Sequence, residues 1–200
     1  MARPVALRCN QPDLGGSERA VHHMKAAVQR KRFIFGLSLL PTSEGALAKT
    51  LQAEGVFPLP LDALWRLLHA HLEDDRIREI HPWILSGRTI RDGEPVEFQG
   101  LSFPREKVVE RVIRIGIHRP KTTWIYRIDP PTRYRYEIAF PNGSLTQFDN
   151  HYSSAEGGTL VKTIGHLSIK RVPSSVALWL VKRSLDRSDE EDLAYAKRFG

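Results

Sequence analysis

Arg111 is the residue whose position asks most of its surroundings. It shares strand parity with Val109, Ile113, Ile115 and Ile117, so a two-residue period puts its guanidinium on an apolar face. A guanidinium there needs a carboxylate, a phosphate or a set of carbonyls. It could hold an anionic or enolate-like ligand group. It could equally pair with a carboxylate of a neighbouring strand, such as Asp149, or turn to solvent through a β-bulge. Two aromatic runs follow. Trp124, Tyr126 and Ile128 alternate against Thr123, Ile125 and Arg127, and Tyr134, Tyr136, Ile138 and Phe140 alternate against Arg133, Arg135 and Glu137. Phenol hydroxyls on such a face can orient a carbonyl or hydroxyl ligand while the rings supply apolar contact. The same rings can also simply fill a core.

A third strand carries Phe148, Asn150 and Tyr152 on one side and Asp149 and His151 on the other. The apolar company assigns the first set to the interior. A His–Asp general base would need the opposite register. His81, before Pro82, is expected at a cavity mouth, where it could act as an acid or base or serve as a cap. His69 and His71 lie about 200° apart around a helix and do not chelate together, although His69 and Glu73 have i, i+4 spacing. No metal site and no cofactor are expected. The sequence has no G-x-G-x-x-G, no G-K-[ST], no G-x-S-x-G and no H-E-x-x-H. Nucleotide-dependent chemistry and the common hydrolase triads are thereby disfavoured.

The elements that must position these residues change period along the chain. Leu47, Leu51 and Val56 lie in an extended stretch. Pro58 and Pro60 bar regular helix until Leu61. Leu61, Leu64, Trp65, Leu68 and Leu72 then form one helical face, with Trp65 expected beneath it. Ile77 and Ile80 suit one further turn before Pro82. Strands are expected at Ile84–Arg91, Val96–Leu101, Lys107–His118, Thr122–Asp129, Thr132–Phe140, Leu145–Tyr152 and Thr159–Lys170. Asp92-Gly93, Asn142-Gly143 and Gly157-Gly158 supply turns. Pro173 opens a final helix whose apolar part is Val176–Val181 and Leu185, with Trp179 near the sheet. Ser188 and Glu191 form a capping-box spacing, which predicts a kink or restart near Asp186–Ser188. Linked strands without intervening helices pair antiparallel, and a twisted sheet of six or seven strands curls around a covering helix.

The chain has 200 residues, 41% hydrophobic and 26% charged, as expected of a folded globular domain. Cys9 is the lone cysteine, which excludes an internal disulfide and a four-cysteine zinc site. Residues 1–40 hold seven basic residues against two acidic ones, five of the seven net positive charges. The basic excess therefore belongs to a leader rather than to a basic stripe on the body, and nucleic acid is not an expected partner. Phe33–Leu40 is too short to span a membrane and reads as an apolar segment docking on the body or touching a membrane surface. Residues 1–16 show no period, Ser17 could cap a helix through Arg32, and 41–45 suits a linker. The expected division is a basic, flexible extension over 1–45 and a ligand-binding domain over 46–200, in the cytoplasm.

From about Leu47 to Gly200 the chain resembles the START / birch-pollen-allergen-like superfamily, also called SRPBCC, in its polyketide cyclase/dehydrase and lipid-transport branch. The resemblance rests on Pro58-Leu-Pro-Leu-Asp-Ala-Leu-Trp65 opening the first helix and on the His81-Pro82-Trp83-Ile84 turn. Gly157-Gly158-Thr159 and the final helix add to it. It implies an α+β helix-grip fold, a curved antiparallel sheet around a long C-terminal helix with a ligand cavity between them. The superfamily includes lipid carriers, hormone receptors, aromatase/cyclases and cochaperones. Three functions follow as expectations. The first is a holder of a small apolar or aromatic ligand, lipid- or polyketide-like, for carriage or sensing. The second is a cyclase/dehydrase-type enzyme on a poly-carbonyl substrate. The third is a protein-interaction module with a filled cavity. Arg111, Trp124, Tyr126, Tyr134, Tyr136, Phe148 and Asn150 are the expected ligand contacts.

Overall fold

In the computed structural model of the chain, the spacing of Leu61, Leu64, Trp65 and Leu68 closes into helix α1, Leu61–Ala70. The structure describes residues 39–40, 48–170 and 174–199. All of these fall in one compact unit, Lys31–Gly200. The expected helix over 17–32, the apolar run 33–38, the linker 41–45 and Pro173 lie outside the described residues. Pro60 is the N-cap of α1, in extended geometry, and Asp62 complements the positive end of the helix in its first turn. The helix buries Leu64, Trp65, Leu67, Leu68 and Ala70. Each large apolar side chain among them contributes about 1.5–3 kcal/mol. The turn expected at Ile77 and Ile80 is a second helix, α2, Asp74–Ile80, which buries both isoleucines.

Among the described residues there are ten strands: β1 Leu39–Leu40, β2 Ala48–Phe57, β3 Ile84–Asp92, β4 Pro95–Phe98, β5 Leu101–Pro104, β6 Glu106–Ile113, β7 Lys121–Asp129, β8 Arg133–Ala139, β9 Leu145–Ala155 and β10 Gly158–Ser168. Eight form one sheet in the order β1-β2-β10-β9-β8-β7-β6-β3. Every pair is antiparallel. Seven of the eight, β2, β3 and β6–β10, carry the described length of the sheet, and β1 pairs Leu39 and Leu40 with Lys49 and Ala48. Register shifts between Ile84 and Ser86 and between Thr89 and Arg91 mark bulges in the edge strand β3. The final helix, α3, runs Ser174–Phe199. The architecture is an α+β helix-grip fold.

Four expectations are corrected. The strand Val96–Leu101 is broken at Gln99-Gly100, whose φ angles of 52° and 75° make a tight hairpin of β4 and β5, a separate two-stranded sheet. This hairpin places Phe98 and Phe103 against the Trp65 ring at 6.0 and 5.4 Å. The strand expected to run to His118 ends at Ile113, and a turn with Gly116 at φ 59° leaves Ile115 and Ile117 exposed. Helix α3 is uninterrupted, so Ser188 and Glu191 do not restart it. Trp179 does not lie against the sheet; it is 55% exposed, with the Arg183 guanidinium 5.3 Å from its ring centre. The helix phase explains this. Val181 and Leu185 pack on Leu51, Phe148 and Leu167, and Trp179, two residues before Val181, points about 200° away.

Candidate functional site

The register of β7, β8 and β9 sets the aromatic side chains side by side. Tyr126 pairs with Tyr136, which pairs with Phe148; Trp124 pairs with Ile138 and Tyr134 with Asn150. Trp124, Tyr126, Tyr134, Phe148, Asn150 and Tyr152 are buried, and Tyr136 is half-buried. Tyr136 stacks between Trp124 at 6.3 Å and Phe148 at 5.0 Å. Trp83 extends the row, 6.3 Å from Trp124. Asn150 is committed to the fold: its amide donates to the Tyr134 carbonyl at 3.2 Å and accepts from Thr163 at 2.7 Å. Asp149 and His151 face outward, with Asp149 paired to Arg133.

Arg111 is fully buried at the base of this row. Its Nη1 donates to the Tyr126 hydroxyl, and its Nη2 donates to the His71 carbonyl at 3.0 Å. The guanidinium lies 4.9 Å from the Trp124 ring centre and 5.3 Å from that of Tyr126, within cation–π range. Its nearest carboxylate is not Asp149 but Asp74 Oδ1, at 4.0 Å from Nη2. Three buried polar atoms here have no hydrogen-bond partner among the described residues: Arg111 Nε, Asp74 Oδ1 and the Tyr134 hydroxyl. Burial pushes the hydroxyls of Tyr126, Tyr134, Tyr136 and Tyr152 up, against a downward pull of Arg111 on Tyr126 and Tyr134. All four are neutral phenols at physiological pH, able to donate to a carbonyl or enolate oxygen.

A second cluster joins α3 to the ends of α1 and α2. His81, expected at a cavity mouth, is 5% exposed. Its Nδ1 lies 2.8 Å from Glu191 Oε2, and its Nε2 lies 3.4 Å from Asp192 Oδ1. His71 Nε2 lies 2.9 Å from the same Asp192 oxygen. Glu191 Oε2 also accepts from Trp83 Nε1 at 3.0 Å, and Oε1 accepts from Arg187 at 2.7 Å. Burial lowers the pKa of His81, as does the neighbouring His71, against the upward pull of Asp192 and Glu191. For Glu191, burial acts upward, but the hydrogen bonds from His81, Arg187 and Trp83 prevail and hold its carboxyl below the usual range. The sequence expectation assembled no such group. His71 and Asp192 are 121 positions apart and His81 and Glu191 110 apart, with no local spacing to link them.

Two depressions are lined by none of these side chains. One, of about 500 Å³, opens between Pro60, Leu61, Asp62 and Gln99 and the turn Ser154, Ala155 and Gly158. The other, of about 280 Å³, lies among Arg105, Arg127, Arg133 and Arg135, with Glu106 and Asp129.

No protein-family model matches the sequence, and neither does any curated protein. Solved structures match the fold. The crystal structure of Ara h 8.0201 superposes with a TM-score of 0.57 at 20% identity, over 76% of this chain and 99% of that one. The Zhui aromatase/cyclase from Streptomyces sp. R1128 gives 0.52 at 14% identity, over 76% and 94%. The fold is the birch-pollen-allergen-like, or SRPBCC, fold. The di-domain ARO/CYC BexL from the BE-7585A biosynthetic pathway shares it at a TM-score of 0.55 and 13% identity. There the match covers 76% of this chain and 49% of BexL. At these identities the likeness is one of architecture. In this chain the sheet of that fold carries the aromatic row, and the terminal helix packs on it at Phe148 through Val181 and Leu185. Among the described residues, no helix is long and apolar enough to cross a membrane.

Proposed function

We propose that this protein binds a small apolar or aromatic ligand, lipid- or polyketide-like, between the aromatic face of the sheet and α3, for carriage or sensing in the cytoplasm. One observation carries the reading. The row of rings Trp83, Trp124, Tyr136 and Phe148 lies on the face that α3 packs against, yet none of the described α3 side chains is itself buried. Trp83 and Tyr136 in that row are half-buried, while Trp124 and Phe148 are buried beside them, so the apolar surface a ligand could complete is that of the two half-buried rings next to α3. Arg111, Tyr126 and Tyr134 are the polar anchor, because the unpartnered Arg111 Nε and Tyr134 hydroxyl can donate to a carbonyl or anionic oxygen. Trp124, Tyr136 and Phe148 supply stacking contact, and Asn150 keeps its structural role.

A cyclase/dehydrase-type enzyme is the second reading. It is favoured by the convergence of His71, His81, Glu191 and Asp192 beside the row, where an imidazole could move protons of a poly-carbonyl substrate. The test is binding of an environment-sensitive apolar dye, with native mass spectrometry of the purified protein to find a co-purified small molecule. Dye binding that weakens in Tyr136→Ala and Trp124→Ala is expected, with Arg111→Ala mattering only for ligands that carry an anionic or carbonyl group. No dye binding and no co-purified molecule would leave the filled-cavity interaction module as the better account.

A further inference from the structure

We propose that His71, His81 and Asp192 form a binding site for a divalent transition-metal ion, zinc first, with Glu191 orienting His81. The inference is independent of the ligand-binding reading. One ligating atom from each of the three residues lies within 4.8 Å of the others. His71 Nε2 is 2.9 Å and His81 Nε2 is 3.4 Å from Asp192 Oδ1. A tetrahedral zinc ion with bonds of about 2.0–2.2 Å sets its ligand atoms roughly 3.3 Å apart. The two observed separations bracket that value, so small shifts would admit an ion.

The hydrogen bonding around His81 strengthens the case. Glu191 Oε2 accepts from Trp83 Nε1 and faces His81 Nδ1, while Oε1 accepts from Arg187. A carboxylate so held fixes the ring by its contact with Nδ1 and turns Nε2 toward Asp192 Oδ1. The 3.4 Å between Nε2 and that oxygen is close to the separation of two ligands of one ion. The series Glu191, His81, ion is the carboxylate–histidine–metal pattern that fixes ring orientation and raises ligand basicity. The His71 and Asp192 side chains are each 14% exposed, giving an ion access from solvent. Three protein ligands with one open position suit an exchangeable fourth ligand, water or a ligand oxygen. The ion would also clip α3 to the ends of α1 and α2.

The experiment is a Co(II) titration of the chelator-treated full chain, followed by visible d–d absorption, with Zn(II) displacing the cobalt. One equivalent bound, with the intense bands of low coordination number and release of protons, is the expected result. His71→Ala and Asp192→Ala should each weaken binding at least about tenfold, and Glu191→Gln by about 10–100-fold with the band shape kept. Asp192→Asn, nearly isosteric, replaces Asp192→Ala if circular dichroism shows that variant unfolded. Absence of visible bands in the full chain would overturn the proposal, leaving the cluster a metal-free hydrogen-bond network. So would bands that persist unchanged in the folded His71 and Asp192 variants, because the ion would then sit on other histidines.

Discussion

Gly87 of β3 lies so close to Asp74 of α2 that a Cβ at position 87 would come within 2.6 Å of the Asp74 carboxylate. The absent side chain lets that carboxylate stand beside the buried Arg111 guanidinium, 4.0 Å away. Gly87→Ala is expected to turn the carboxylate aside and to cost about 1–3 kcal/mol, the usual range for overpacking. Urea midpoints measure this. In an Asp74→Ala background the same change should be nearly neutral; an equal cost in both backgrounds would show that Gly87 does not act through Asp74.

The tryptophans of the two long helices should respond oppositely to truncation. Trp65 is 1% exposed and its indole N–H donates to the Pro131 carbonyl at 2.9 Å. Trp65→Ala is expected to cost on the order of 3–5 kcal/mol. Trp179 is exposed, and Trp179→Ala should stay within about 0.5 kcal/mol. A large loss at Trp179 would contradict the phase of α3.

Alkaline stability should report the buried phenols. The folded-state pKa values of Tyr126, Tyr134, Tyr136 and Tyr152 are raised by burial. The unfolded chain releases its phenol protons near pH ~10 while the folded chain retains them. Stability is therefore fully present below about pH 10 and lost as pH rises through the raised folded values. Phenolate absorbance from these residues should appear together with loss of circular dichroism. Ionisation well before unfolding would show that solvent already reaches the hydroxyls.

Removal of residues 1–45 should leave the fold intact. The described contact of this region is the pairing of Leu39 and Leu40 with Lys49 and Ala48 at one edge of the sheet. A chain beginning at residue 46 is expected to lose less than about 1 kcal/mol, a melting shift of no more than about 2–4 °C. A larger drop would assign the apolar run before residue 40 to the core and move the boundary.

Much of this architecture was legible because its causes are local. Alternation along 122–129 and 133–140 placed the aromatic side chains on one face, and the Asn142-Gly143 turn joined β8 to β9 where a hairpin was expected. The spacing from Leu61 to Leu68 fixed which face of α1 is buried, and the parity of β6 put Arg111 inside. Tertiary packing decided the rest. The partner of Arg111 came from a helix rather than a neighbouring strand, since strand parity says which way a side chain points but not what descends on it. The phase of α3 was set by Leu51, Phe148 and Leu167 receiving Val181 and Leu185, which turned Trp179 outward. Glu191 reads from its spacing as a helix cap, yet the fold brings His81 to it from 110 positions away. Period and spacing encode faces and turns; the pairing of groups so distant along the chain exists only once the sheet has curled and the last helix has docked across it.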